Sequence, residues 1–135
     1  MSLEKHVKII FENIKIENNI DFFQLWKETF QKIYPNTNEN FNRPLMALRI
    51  LKIFYLCKYF ISIKNIEGDF FECGVFKGFS SLLLRSLEEK LSNFNINNYF
   101  LIDSFEGLSD LLDEDKTLNP EIIQNKKGDL KANIE

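Results

Sequence analysis

Gly68-Asp-Phe-Phe-Glu-Cys-Gly-Val-Phe-Lys-Gly-Phe-Ser-Ser81 reads as a strand, a turn and the start of a helix. Phe70 and Phe71 open a short apolar run, Glu72 interrupts it at the expected carboxyl end of the strand, and Gly74 and Gly78 bracket the turn. Ser80 and Ser81 fall in the first turn of the helix that follows. Leu82, Leu83, Leu84, Leu87 and Leu91 give that helix a wide apolar face at helical spacing. A turn of this kind aims backbone N–H groups at a ligand. The helix N-terminus carries roughly half a positive charge, and glycines let a ligand approach the backbone without an intervening Cβ.

The spacing differs from the dinucleotide fingerprint G-x-G-x-x-G: here it is Glu72-x-Gly74-x-x-x-Gly78-x-Ser80. Two glycines four residues apart also suit a plain strand-to-helix turn that uses glycine for steric reasons. A second signal lies downstream, where Asn98-Tyr-Phe-Leu-Ile-Asp103 predicts another buried strand ending in a carboxylate. Its distance from the glycine turn is about that at which a β-α-β unit places a ribose-binding acid. The expectation is two parallel, adjacent strands, near 69–75 and 98–103, whose carboxyl ends open on one cleft.

Glu72-Cys-Gly-Val-Phe-Lys-Gly-Phe-Ser80, followed by Asp103-Ser-Phe-Glu-Gly-Leu108, resembles the macrocin O-methyltransferase (TylF-type) family, class I S-adenosylmethionine-dependent enzymes that methylate hydroxyls of sugars on natural products. The turn is also similar to that of catechol O-methyltransferases, in which an aromatic residue stands where most class I methyltransferases have a middle glycine, as Phe76 does here. The resemblance runs from about Arg43 to the end of the chain. It implies an α/β, Rossmann-like class I methyltransferase fold, and S-adenosylmethionine as cofactor. Glu72 would then lie near the methionine ammonium, Gly74 would offer its backbone, and Phe76 would lie against the cofactor beside Gly78. Ser80 would bond the methionine carboxylate, and Asp103, with Ser104 next to it, would take the ribose hydroxyls. The family's chemistry moves a methyl group from sulfonium to a hydroxyl and often uses Mg²⁺. Nothing in this chain matches the family's Mg²⁺ carboxylates or catalytic base, so no catalytic residue and no metal ligand is assigned.

The 135 residues, 44% hydrophobic and 27% charged, have globular composition and length for one domain. We divide the chain into a helical cap, residues 1–42, and an incomplete Rossmann-like cofactor-binding domain, 43–135. Incompleteness is inferred because a parallel sheet is normally covered on both faces and has several strands, whereas only two are legible. The fold expected is therefore the N-terminal portion of the family's fold, truncated after its first β-α-β unit. Net charge is −3, with an excess of Lys and Arg before residue 69 and an excess of acids after it, which disfavours nucleic acid as a partner. Cys57 and Cys73, in no Cys-x-x-Cys pair, are expected to be reduced, buried thiols, and the polar N-terminus lacks a signal-peptide pattern; both suit the cytoplasm. His6 is the single histidine, which leaves no material for a Ser-His or Cys-His nucleophile or a histidine-rich metal site.

Ser2 predicts a capped helix to about Ile16, and Asp21 a second whose stripe is Phe22, Leu25, Trp26, Thr29, Phe30 and Ile33. Arg43 to Ile63 is long and apolar, but Arg49, Lys52 and Lys58 share a side with Tyr55, Tyr59 and Ser62, opposite Met46, Ile50, Phe54, Cys57 and Ile61. That pattern is an amphipathic helix packed on a sheet rather than a membrane span. Residues 103–115 hold six acids and no Lys or Arg, a solvated loop without the register of a calcium site. Gly128 to Glu135 reads as a helix beginning. The partner expected is a small-molecule acceptor, with no membrane and with self-association open. Alternatives are another nucleotide-binding enzyme on the same half-fold, a non-catalytic remnant that binds cofactor or a partner chain, and a functionless gene product.

Overall fold

The computed structural model describes residues 14–36, 44–110, 112–115 and 126–132, without the side chains of residues 44–48 and 115. Among them are three α-helices, α1 (Phe22–Ile33), α2 (Pro44–Ser62) and α3 (Phe79–Leu91), and two strands, β1 (Gly68–Cys73) and β2 (Ile96–Ile102). The strands are parallel and adjacent, with Phe70 opposite Tyr99, Phe71 opposite Phe100, Glu72 opposite Leu101 and Cys73 opposite Ile102. Direction and adjacency follow the sequence reading, while each strand starts and ends one or two residues earlier than expected.

Helix α1 begins where Asp21 accepts the Gln24 N–H at 2.9 Å, satisfying one of the donors a helix N-terminus leaves without an internal partner. Phe22, Leu25, Trp26, Thr29 and Phe30 recur at helical spacing and are buried. The rings of Trp26, Phe30 and Tyr34 stack in series, 5.0 and 4.7 Å between centroids, and Trp26 meets Phe79 edge-on at 5.8 Å. Helix α1 is thereby docked on the start of α3. In α2, Ile50, Cys57, Phe60 and Ile61 are buried while Arg49, Lys52, Tyr55, Lys58 and Tyr59 are exposed, the two-sided pattern predicted; the side chain of Met46 lies outside the described residues. Phe60 carries α2 onto the sheet through Phe70 and Phe94, at 5.7 and 4.7 Å. No helix among the described residues is long and apolar enough to cross a membrane.

All three helices contribute to one core cluster, which the sheet meets through Phe70, Ile96 and Tyr99. Strand side chains alternate between faces, so Phe71, Cys73, Phe100 and Ile102 fall on the opposite face, and each is exposed. Phe71 and Phe100 stack on each other there at 4.7 Å. This corrects two expectations. β2 is covered on one face rather than buried, and Cys73 is exposed because its position in the pleat turns it away from the helices; only Cys57 is a buried thiol.

Two terminal expectations also change. The first predicted helix, within residues 1–13, lies outside the described residues. It does not extend to Ile16, because Lys15 bridges to Asp21 and Ile16 N–H bonds the Ile20 carbonyl at 2.8 Å around left-handed Asn18 and Asn19. Residues 128–132 form a turn and an extended piece rather than a helix start. Gly128 and Leu130 both have positive φ, and this segment pairs with Phe105–Leu108. Leu108 N–H donates to Asp129 at 2.8 Å, Gly128 N–H to Leu108 at 2.9 Å and Ala132 N–H to Phe105 at 3.3 Å, so the backbone finds its partners between loops instead of within a helix.

Candidate functional site

The site is the turn between β1 and α3 together with the end of β2. Gly74 (φ 83°) and Gly78 (φ 75°) both sit in the left-handed region, where a side chain is strained. Phe76 is there as well, at φ 51°, without glycine's freedom. Its strained backbone is held from β2: the Phe76 N–H donates to Asp103 Oδ2 at 2.8 Å. The Phe105 N–H donates to the other oxygen, Oδ1, also at 2.8 Å. Asp103 therefore joins the glycine turn to the loop after β2, and the end of β1 is tied in by Gly74 N–H to the Ile102 carbonyl at 2.9 Å.

These backbone bonds, Phe76 first and Phe105 second, hold the Asp103 carboxyl below the usual carboxylate range. It is ionised at neutral pH. A carboxylate has about four lone-pair positions, so both oxygens keep acceptor capacity after taking these two N–H groups. Gly78, as N-cap of α3, has no side chain to cap the helix, and the first-turn N–H groups face the turn without one. Val75 is buried beneath the turn and anchors it.

Glu72 shares a strand face with Phe70, the side of the helices, which brings its carboxylate to the first turn of α3. Ser80 donates to Oε1 and Ser81 to Oε2. Lys77, in the middle of the turn, rests its ammonium over Tyr34 and Phe76, 4.9 and 5.6 Å from the ring centroids. Ser104 is exposed next to Asp103, and its hydroxyl accepts the Glu106 N–H at 3.3 Å.

Of the residues singled out from sequence, Glu72 and Ser80 meet directly, and Asp103 meets the backbone of Phe76. Gly74 and Gly78 bracket that contact in the turn, and Ser104 stands at its rim. The sequence reading missed Ser81, which belongs to the Glu72 cluster, and Lys77; the signal available for Ser81 was a second hydroxyl in an otherwise leucine-rich turn. It also missed the groove along α3, about 350 Å³, lined by Gly78, Ser81, Leu82, Arg85, Tyr99 and Leu101. There Tyr99 donates to Glu88, and Arg85 pairs with Glu88 at 2.6 Å. Burial and then the Glu88 charge push the Tyr99 phenol far above its ordinary range, so it is no proton acceptor at neutral pH. Among the described residues no three His, Cys, Asp or Glu side chains come together to hold a metal.

A parallel strand–helix–strand unit with a glycine turn and two carboxylates at the strand ends defines a small α/β unit, compatible with a Rossmann-like arrangement. The macrocin-O-methyltransferase (TylF) family model matches residues 22–127. The chain belongs to that family, which is one of O-methyltransferases and so of enzymes acting on small molecules. Neither a curated protein nor a solved structure matches it.

Proposed function

We propose that the chain is the cofactor-binding part of an S-adenosylmethionine-dependent O-methyltransferase that acts on a hydroxyl of a sugar or natural product. The observation that carries this reading is Asp103: an ionised, half-buried acid at the end of β2 that is hydrogen-bonded to the glycine turn of β1 and still has lone pairs to offer. An adenosine ribose has two hydroxyl donors that suit such a carboxylate. Phe76, beside it, supplies a ring for packing, and Gly74 and Gly78 keep the backbone accessible. Glu72, Ser80 and the uncapped N-terminus of α3 face the aminoacyl end, and Ser104 borders the ribose position. The cofactor, when bound, supplies an electrophilic methyl group; this chain's residues hold and orient it. The 135 residues alone should bind without transferring methyl groups, since no base is assigned among them.

The test is calorimetry with S-adenosylmethionine on Asp103→Ala and Asp103→Asn. Alanine removes the charge and both backbone contacts and should weaken binding about tenfold or more. Asparagine keeps one acceptor for the turn and loses the charge, and should fall between alanine and the parent. Asp110, out on the acidic loop and paired with Lys127 at 2.6 Å on the surface, is the control, and Asp110→Ala should change affinity less than about twofold. Equal affinities for Asp103→Ala and the parent would remove the cofactor assignment.

A further inference from the structure

The glycine turn is held from a second side besides β2. Asp103 fixes Phe76, but the two residues that flank Gly78, Lys77 and Phe79, are met by the aromatic side chains of α1 and of Tyr34, which ends that helix. Trp26 and Phe30 approach the Phe79 ring edge-on, at 5.8 and 6.3 Å. Tyr34 stacks on Phe30 at 4.7 Å and has the Lys77 ammonium over its ring at 4.9 Å. Lys77 is exposed, and among the described residues no carboxylate lies at ion-pair distance from it, so rings place its ammonium: Tyr34 and its own neighbour Phe76. The turn needs such support. Gly74, Phe76 and Gly78 all have positive φ; the glycines have no side chain with which to anchor themselves, and a left-handed phenylalanine persists only where its surroundings hold it.

We propose that Tyr34 is a positioning residue for the glycine turn and acts through Lys77: the stacked rings of Trp26, Phe30 and Tyr34 brace the turn from the α1 side, as Asp103 braces it from the β2 side. The proposal rests on the cofactor reading and extends it to a helix to which that reading gives no part. A turn already ordered loses less conformational entropy when its ligand arrives, so the brace raises affinity without touching the ligand. By the same linkage, an occupied turn holds the end of α1 more firmly.

Two measurements on the full chain test this. Hydrogen–deuterium exchange needs no ligand and reads the amides of Gly74, Phe76 and Gly78, which donate to Ile102, Asp103 and Val75. Tyr34→Leu should speed their exchange about three- to fivefold and leave the amides of β2 unchanged, whereas Tyr34→Phe, which keeps the ring, should match the parent. Lys77→Met, at an exposed position, should repeat the Tyr34→Leu pattern and serves if that variant does not fold. Calorimetry with S-adenosylmethionine should show affinity weakened about three- to fivefold by Tyr34→Leu or by Lys77→Met, with no further loss when the two are combined, because each removes the same contact. Tyr34→Phe should retain the parent affinity. Exchange that rises equally in the turn and in β2 would give Tyr34 a purely structural role and overturn the proposal. Additive losses of affinity, or a loss from Lys77→Met alone, would have Lys77 acting directly on the ligand and would overturn it too, as would affinities that no variant changes. A parent chain that binds no S-adenosylmethionine overturns the cofactor reading, and the exchange pattern then still decides whether Tyr34 braces the turn.

Discussion

Cys57 and Cys73 show how one residue type takes two characters from its surroundings. Cys57 is buried on the inner face of α2, and desolvation of the thiolate pushes its pKa up to about 12. A thiol reacts through its thiolate, so at pH 8 Cys57 is protected by charge as well as by access. Cys73 is exposed at the end of β1. A thiol-specific reagent at pH 8 should therefore titrate one cysteine per folded chain at once, and the second only after denaturant is added. Two fast thiols in the native protein would mean that α2 does not pack as described. Spacing told us that neither cysteine belongs to a metal or redox pair, but which one was covered depended on what lies over each face of the sheet.

At the scale of elements, α1 is a helix whose cap was legible three residues ahead of its effect. Asp21 accepts the Gln24 N–H and pairs with Lys15 at 2.9 Å, and these bonds, the backbone one first, hold its carboxyl below the usual range. Asp21→Ala should cost roughly 1 kcal/mol of stability, the usual worth of an N-cap, read from denaturant unfolding followed by Trp26 fluorescence. Because the folded-state pKa is depressed, the carboxylate's contribution is fully present above the unfolded value of about 3.9 and fades as pH falls through the folded one. The difference between parent and Asp21→Ala should shrink accordingly in acid, and a difference unchanged at pH 3 would show that charge has no part in the cap. The C-terminal pairing has a different origin. A Cβ on Gly107, already at φ 85°, would lie 2.6 Å from the Asp129 carbonyl oxygen, so that glycine serves a contact with a segment about twenty residues away in the chain. No local pattern announces such a partner, and Gly128 to Glu135 reads as a helix start for that reason.

At the scale of the whole molecule, the helices among the described residues cover one face of the sheet, and the other carries exposed side chains. Phe71 is 59% exposed and Phe100 42%, stacked on one another with Ile102 beside Phe100 in β2. An apolar patch of this kind binds apolar probes. The chain should bind a hydrophobic dye, and Phe71→Ser with Phe100→Ser should reduce that signal while leaving the helical content intact. A loss of stability of about 3 kcal/mol or more, the scale of truncating a buried phenylalanine, would show instead that the face is covered in solution.

The sequence by itself determined the order from α1 to β2, the parallel unit and the identity of the strand-ending acids, because these depend on local signals: period-two and period-3.6 patterning, glycines at left-handed positions, an aspartate at a helix start. The helix stripe of α2 and the leucine face of α3 were readable for the same reason. Only the tertiary structure decided which face of the sheet is covered, where the hydroxyls of Ser80 and Ser81 send their protons, and that Asp103 pins Phe76. Each of these depends on the distance between residues far apart in the chain, and a hydrogen bond's direction depends on which partner arrives. Residue types placed Glu72 and Asp103 at neighbouring strand ends; the folded geometry gave one the hydroxyls of Ser80 and Ser81 and made the other the bond between two loops.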